Sequence, residues 1–544
     1  MAVPKVARLD VIDKNKVFDL IVLGGGVTGA NILWDAALRG LDAVLFEKND
    51  YASGTTQATS KLIHGGLRYL KNAEFGLVRE SLRERRLLAK ISPHAVKPMG
   101  FILPQYSMKN RIVFGVGLTM YDMLSFDRNR DVADDWKIPG SRYLNREDTM
   151  AAEPNIVKEN LHGSYLYYDY ANLNPERHTS QFIFSARTRG SLGFNYTEVL
   201  SIEKKGEIFE ITVWDKVKSR KYLFRSRTLV NCGGPWADYI DTAALKQNPN
   251  PLVRSKGIHI ITRKICGDNT IAVQTREGAH LFIIPWRGKT IIGTTDVIYD
   301  GHPDEFKVTL KDITDLIASV RNYTEHSVSL EDVEMFYGGL RPLVSDGKSS
   351  KETYNASRKT EITDHAASGF KGYYTALGGK YTTSRDVAEK AVNKICSYLP
   401  GKFRACQTMD IPVLGGYIAG IREAVVDIKK KYPHISEEKA YVLSRRYGSH
   451  AEEILKLDRK TKDEIRLPFG VSEVYYPEEI EYICANEDVH LFSDLVFRRS
   501  GIGNSGRLPE AEFKKLLGFA SKHFGGRIQE RDIREVKSRY VLPV

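Results

Sequence analysis

"FDLIVLGGGVTGANILWDAALRGLDAVLFEK", residues 18–48, decides how the chain begins to fold. "LIVL" is a short apolar run of the kind a buried strand uses. Gly24, Gly26 and Gly29 then give G-x-G-x-x-G, a helical pattern follows over 30–39, and Gly40 ends it. "DAVLFE" predicts a second strand that closes on Glu47. Each part has a physical task. Gly24 permits the tight turn, Gly26 lets backbone approach a pyrophosphate, and Gly29 lets helix and strand pack closely. The helix N-terminus offers N–H groups and a positive dipole end to phosphates. Glu47, at the end of the second strand, is placed to accept ribose hydroxyls. That carboxylate disfavours a 2′-phosphate and so NADP. The fingerprint by itself leaves NAD and FAD open.

Working outward, 544 residues exceed a single core, and two or three domains are expected. A content of 42% hydrophobic and 10% aromatic residues is that of a folded chain. The formal net charge of +12 would attract nucleic acid, an anionic membrane or an anionic substrate, or is simply a solvated surface. No basic-aromatic interleaving accompanies it, so no nucleic-acid partner is expected. Five cysteines without a CxxC pair fit a reducing compartment with no disulfides. No metal site is expected. "MAVPKVARLDVIDKNK" at the start has no apolar signal core.

No run reaches about 18 apolar residues, so no helix is expected to cross a bilayer. "IVFGVGLTMYDML", 112–124, could lie buried or in a membrane interface, and the buried placement is the expectation. "EFGLVRESLRERRLLAKI", 74–91, is basic and amphipathic. It is expected to pack Leu77, Leu82, Leu87 and Leu88 on the first domain rather than to bind a membrane or a partner.

The segment after Glu47, "KNDYASGTTQATSKLIHGGLRYL", resembles that of FAD-dependent glycerol-3-phosphate dehydrogenases of the aerobic, bacterial type, within the glycine oxidase and D-amino-acid oxidase class. Small residues there suit backbone lying against a flat ring. "LVNCGGPWADYI" (229–240), "FIIPWRGKTIIGTTDVIYDG" (282–301), "YGGLRPLVSD" (337–346) and "TALGGKYTTSRDVAEKAV" (375–392) match the same family in order, and "DLVFRRSGIG" matches near the end. The resemblance implies an α/β fold: a Rossmann-like FAD domain, a β-sheet substrate domain and a C-terminal helical domain. The boundaries expected are 17–100, 165–250 and 335–400 for FAD, 101–164 and 251–334 for substrate, and 401–544 for the helical domain.

The resemblance also implies the chemistry. The substrate is sn-glycerol 3-phosphate, oxidised to dihydroxyacetone phosphate by hydride transfer to FAD. Cofactor contacts are expected from Gly24, Gly26, Gly29, Glu47, Thr55, Ser60, Gly65, Gly66, Gly233, Gly379, Lys380 and Thr382. Arginine forks match phosphate oxygens, and Arg68 and Arg341 are the expected phosphate contacts. Lys380 would sit near the flavin and the reacting carbon, and Tyr69 would line the pocket. The base is His259 or His64, of which the resemblance favours His259. Thr294, Thr295 and Asp296 could orient the pocket or form only a strand end. Ser357 or Arg358 in "ASRKTEI" could face the phosphate or belong to a loop.

The resemblance further implies a membrane quinone as electron acceptor, a homodimer, and a cytoplasmic protein peripheral on the cytoplasmic face of the cell membrane. The alternatives are an oxidase of glycerol 3-phosphate that uses oxygen, or a flavin oxidase of a small amino or hydroxy acid. No HExxH, GxSxG, Walker A or EF-hand motif points elsewhere.

Overall fold

Strand Val17–Leu23 is apolar and buried along most of its length, and it forms the centre of the first sheet. It pairs in parallel with Ala43–Phe46 on one side and Arg220–Asn231 on the other. Among the described residues the sheet runs in the order Glu361–Asp364, Tyr373–Leu377, Arg220–Asn231, Val17–Leu23, Ala43–Phe46, Leu192–Phe194, and the strands Thr197–Lys205 and Ile208–Asp215 fold back onto it. The protein is described here from a computed structural model covering residues 8–246, 252–274, 280–321, 323–344, 360–468 and 473–543. The 356–359 part of "ASRKTEI" lies outside the described residues.

The expected turn and helix follow the first strand. Gly24 has φ +107°, and a Cβ there would come within 2.5 Å of the Cys232 carbonyl oxygen. Helix α1, Val27–Arg39, ends on Gly40 in the left-handed region at φ 88°, the usual glycine termination. It is buried almost all round because helices Pro175–Arg187 and Ser384–Tyr398 flank it. Gly29 does what the sequence implied: a Cβ would stand 2.0 Å from the Gly24 carbonyl oxygen, so only glycine lets α1 sit this close to its strand.

The second sheet is largely antiparallel. Its order is Val297–Tyr299, Leu252–Thr262, Lys289–Gly293, His280–Trp286, Thr270–Gln274, Val96–Gln105, Gly163–Asn172, Leu62–Ile63, with Val333–Val344 paired to Leu252–Thr262. Gly163–Asn172 and Val333–Val344 therefore lie in this sheet, although the expected boundaries at 165 and 335 assigned most of both to the first unit. Val96–Gln105, in the same sheet, straddles the boundary at 100. These strands are apolar on at least one face, and sequence alone does not say which sheet edge supplies their hydrogen bonds. Helices from Ile421–Lys431 to Glu530–Ser538 build the C-terminal part.

Helix α2, Phe75–Ile91, buries Leu82, Leu87 and Leu88, as expected of a packing helix, and Val78 with them, while Leu77 is half-buried. Helix α3, Met108–Leu124, corrects the expectation for 112–124. It buries only Leu118 and Tyr121. Ile112 (63% exposed) and Met123 (69%) face outward, while Val113 and Val116 are exposed on the side that borders a cavity. The helix packs on Val96–Gln105 and Gly163–Asn172, so one side meets protein, and nothing among the described residues covers the other. Among the described residues no helix is long and apolar enough to cross a membrane.

Candidate active site

Between the sheets lies a cavity of about 1080 Å³. One end is built from the glycine turn. Gly24 and Gly26 line it, and Gly26 caps α1 without a side-chain hydrogen bond, so the first turn of the helix faces the cavity. Glu47 is positioned by two amides: Oε2 accepts from Gly25 N at 2.7 Å and Oε1 from Asn49 N at 2.9 Å. Burial raises its pKa against the pull of both amides. The stretch 52–60, a turn followed by the short 3-10 helix Thr55–Ala58, passes along the wall, where Thr55 Oγ1 donates to the Leu340 carbonyl at 2.5 Å and Thr56 Oγ1 accepts from Val27 N at 3.1 Å. Gly233, Gly379 and Thr382 complete this wall, and Thr382 Oγ1 accepts from His64 N at 3.3 Å. The glycine turn, helix N-terminus, terminal carboxylate and small-residue track fit an FAD by shape and by charge.

The other end gathers the charged candidates. His259, on strand Leu252–Thr262, is 1% exposed, stacks on Tyr337 with ring centroids 4.9 Å apart, and has Ser60 Oγ at 2.9 Å from Nε2. Burial lowers its pKa well below the ordinary imidazole value, and the charges of Arg341 and Lys61 lower it further. The ring is therefore neutral at neutral pH. Nδ1 has no hydrogen-bond partner among the described residues. Beneath it, Lys61 is ion-paired to Glu176, and both are buried.

Arg341 is held from the pairing strand. Its Nη2 donates to Thr294 Oγ1 at 2.6 Å, Nη1 donates to Ser255 Oγ at 3.2 Å, and both donate to the Thr295 carbonyl at 3.1 Å. Asp296 stands 3.7 Å away. The "GTTD" turn thus orients the guanidinium. Gly257 makes the room, since a Cβ there would lie 2.2 Å from Arg341 Nη2. Tyr69 lies beside two cations: Arg68 stands 4.8 Å from its ring centroid and Lys380 Nζ stands 3.9 Å from it. Lys380 Nζ also donates to Ser81 Oγ at 2.8 Å.

His64, Gly66, Arg68, Tyr69, His259, Arg341 and Lys380 all line the cavity. Gly29 and Gly65 do not. Gly29 serves packing. A Cβ on Gly65 would meet Leu82 Cδ2 and the Tyr121 hydroxyl at 2.4 Å each, so this glycine admits α2 and α3.

Several lining residues were not anticipated. Asp169 accepts from Tyr121 and from the buried Arg85 of α2. Asp304 joins Lys48 at 2.7 Å and Trp236 Nε1 at 2.9 Å, across the Glu47 end. Trp236 stands in a matched block, whereas no sequence signal marks Asp304. Phe101, Leu103, Val113, Phe114, Met120 and Phe282 make an apolar wall, much of it from α3. Among the described residues no group of three or more His, Cys, Asp or Glu could hold a metal.

A family model described as FAD dependent oxidoreductase matches residues 19–385, and one described as the C-terminal domain of alpha-glycerophosphate oxidase matches 406–520. The aerobic glycerol-3-phosphate dehydrogenase of Staphylococcus aureus is 31% identical over 509 residues, covering 90% of this chain and 87% of that protein. The FAD-complexed glycerol-3-phosphate dehydrogenase of Bacillus halodurans superposes with a TM-score of 0.72 at 25% identity, covering 96% of this chain and 94% of that one. Glycine oxidase of Geobacillus kaustophilus shares the fold at a TM-score of 0.53 and 18% identity, covering 71% of this chain and 96% of its own. Fold and cavity together define an FAD-dependent oxidoreductase of the α/β type, with a substrate domain and a C-terminal helical domain. Within that class the chain belongs to the FAD-dependent aerobic glycerol-3-phosphate dehydrogenase family.

Proposed function

We propose that the protein oxidises sn-glycerol 3-phosphate to dihydroxyacetone phosphate and passes the electrons to a membrane quinone. The observation that carries this reading is the convergence of a neutral, buried His259 with Arg341, Arg68 and Lys380 in one cavity. The three cations suit a dianionic phosphate ester. His259 accepts the C2 hydroxyl proton, for which a neutral imidazole is required. Ser60, 2.9 Å from Nε2, fixes the ring's orientation. FAD, when bound, supplies the acceptor for the C2 hydride and its electron pair. Lys380 favours negative charge at that end of the cavity.

The quinone assignment is supported by the apolar wall from Phe101, Phe114, Met120 and Phe282, which a small polar substrate does not need. The outward apolar face of α3 supports peripheral contact with a membrane, and the net charge of +12 favours the anionic cytoplasmic leaflet.

The test is an anaerobic visible spectrum before and after adding glycerol 3-phosphate. Bleaching of the flavin bands supports the substrate. An unbleached flavin refutes it and favours an amino or hydroxy acid. Reoxidation of the bleached enzyme by quinone, or instead by oxygen with release of peroxide, identifies the acceptor.

A further inference from the structure

The C-terminal helices meet the FAD site through charges that the reaction does not use. Asp50, three residues after Glu47, is 1% exposed. Arg499, 0% exposed, donates to it twice, Nη1 to Oδ2 at 2.9 Å and Nη2 to Oδ1 at 2.7 Å. Arg498 adds Nε to Oδ2 at 2.6 Å, and Asn195 adds Nδ2 to Oδ1 at 2.7 Å. Burial alone would raise the Asp50 pKa, but the two guanidinium groups outweigh it and hold the carboxyl below the usual range. Both arginines come from Asp494–Arg499, a π-helical turn, a geometry that recurs at functional sites.

The next residues carry the contact to the glycine turn. Tyr51 donates its hydroxyl to Asp488 at 3.1 Å, and its ring packs on Gly25, where a Cβ would lie 2.9 Å from Tyr51 Cδ1. Ala52 N donates to the Gly25 carbonyl at 3.0 Å, and Gly25 N holds Glu47. On the other side, the Glu47 and Asn49 carbonyls accept from Thr197 N and Tyr196 N at 2.7 Å each, and the Tyr196 hydroxyl reaches Asp494 at 2.6 Å. The segment that carries the ribose-facing carboxylate is thus fastened at both ends to the C-terminal domain.

We propose that Arg498 and Arg499 are positioning residues for the cofactor. Through Asp50 they clamp the 47–52 segment, so that FAD affinity depends on a domain more than 400 positions away in sequence. The inference rests on the reading of Glu47 as the ribose ligand. Linkage makes it reciprocal: bound FAD must then tighten the π-helical turn.

The experiment compares FAD binding to deflavinated wild type, Arg499→Met, Asp50→Asn, the double variant and Glu47→Gln, with circular dichroism of each. We expect the clamp variants to bind FAD at least tenfold more weakly while retaining the wild-type spectrum. Wild-type affinity in the folded clamp variants, with weakened binding in Glu47→Gln, overturns the clamp. Unchanged affinity in Glu47→Gln overturns the ribose reading instead, and with it the route through Glu47. Removing one partner of a buried pair can prevent folding, so wild-type protein provides a second readout. Hydrogen exchange at 487–500 should slow on adding FAD to the stripped protein, and equal rates with and without FAD overturn the proposal.

Discussion

Ser60 Oγ and His259 Nε2 lie 2.9 Å apart and join the track after Glu47 to a strand of the second sheet. This contact ties the cofactor wall to the proposed base, and it makes the two residues separable by mutation. His259→Asn should lower kcat by about 10²–10⁴, the usual worth of a general base. Ser60→Ala should cost about tenfold, the scale of one hydrogen bond. Both should retain bound flavin in the visible spectrum. A Ser60→Ala loss equal to that of His259→Asn would mean that Ser60 does more than orient the ring.

The pH dependence of kcat/KM follows from the burial of His259. Because kcat/KM reports groups of the free enzyme, and burial keeps this ring neutral well below 6.5, no acid limb from His259 should appear at the ordinary imidazole pKa. A limb near about 6.5 that vanishes in His259→Asn would show instead that the ring is charged there.

Arg341→Ala removes a charged donor from the proposed phosphate site. A hydrogen bond to a charged group is worth about 1.5–3 kcal/mol, so kcat/KM for glycerol 3-phosphate should fall by about 10- to 150-fold. Gly257→Ala should reproduce part of this loss without touching the arginine, because its Cβ would stand 2.2 Å from Nη2. Inhibition by inorganic phosphate, measured on the same variants, should weaken in parallel.

On α3, Ile112 and Met123 are exposed and lie outside the cavity. The double variant Ile112→Asp/Met123→Asp should co-sediment less with anionic phospholipid vesicles. Its reduction of a vesicle-embedded quinone should fall while reduction of a soluble dye stays near wild type. Unchanged co-sedimentation would remove α3 from the membrane contact.

Acid should destabilise the fold through buried neutral histidines. Burial pushes His94, His178 and His450 down to about 3, whereas the unfolded chain titrates near about 6.5. Between those values the unfolded state holds more protons, so stability rises with pH there. It is fully present above about 6.5 and is lost as pH falls toward 3, by at most about 1.4 kcal/mol per pH unit for each ring. Thermal unfolding across that range should show the decline, and His178→Asn, which cannot take a proton, should flatten it.

Much of the site was legible in blocks. Gly24, Gly26 and Glu47 perform local tasks, and Arg341 and Lys380, from matched segments, share one cavity with His259. The packing of Leu82 and Tyr121 against Gly65 was not legible, because both belong to helices whose approach to it is a matter of tertiary packing. The outward face of α3 was misread because apolar composition states a preference for burial without naming a partner to provide it. That the strands at 163–172 and 333–344 pair within the second sheet was not legible, because β periodicity is the same in either sheet.

The sequence by itself determined the strand–turn–helix–strand unit from Phe18 to Glu47, because its turn, cap and packing glycine act on neighbours in the chain. It also determined, by resemblance, the cofactor and the family. The tertiary structure decided which charges are buried and which partners they find. Asp50 meets Arg499 across 449 positions, Lys61 meets Glu176 near His259, and Gly257 yields its space to Arg341. Those outcomes depend on the register and stacking of distant elements, and a buried charge is tolerated only where that packing delivers its counterion.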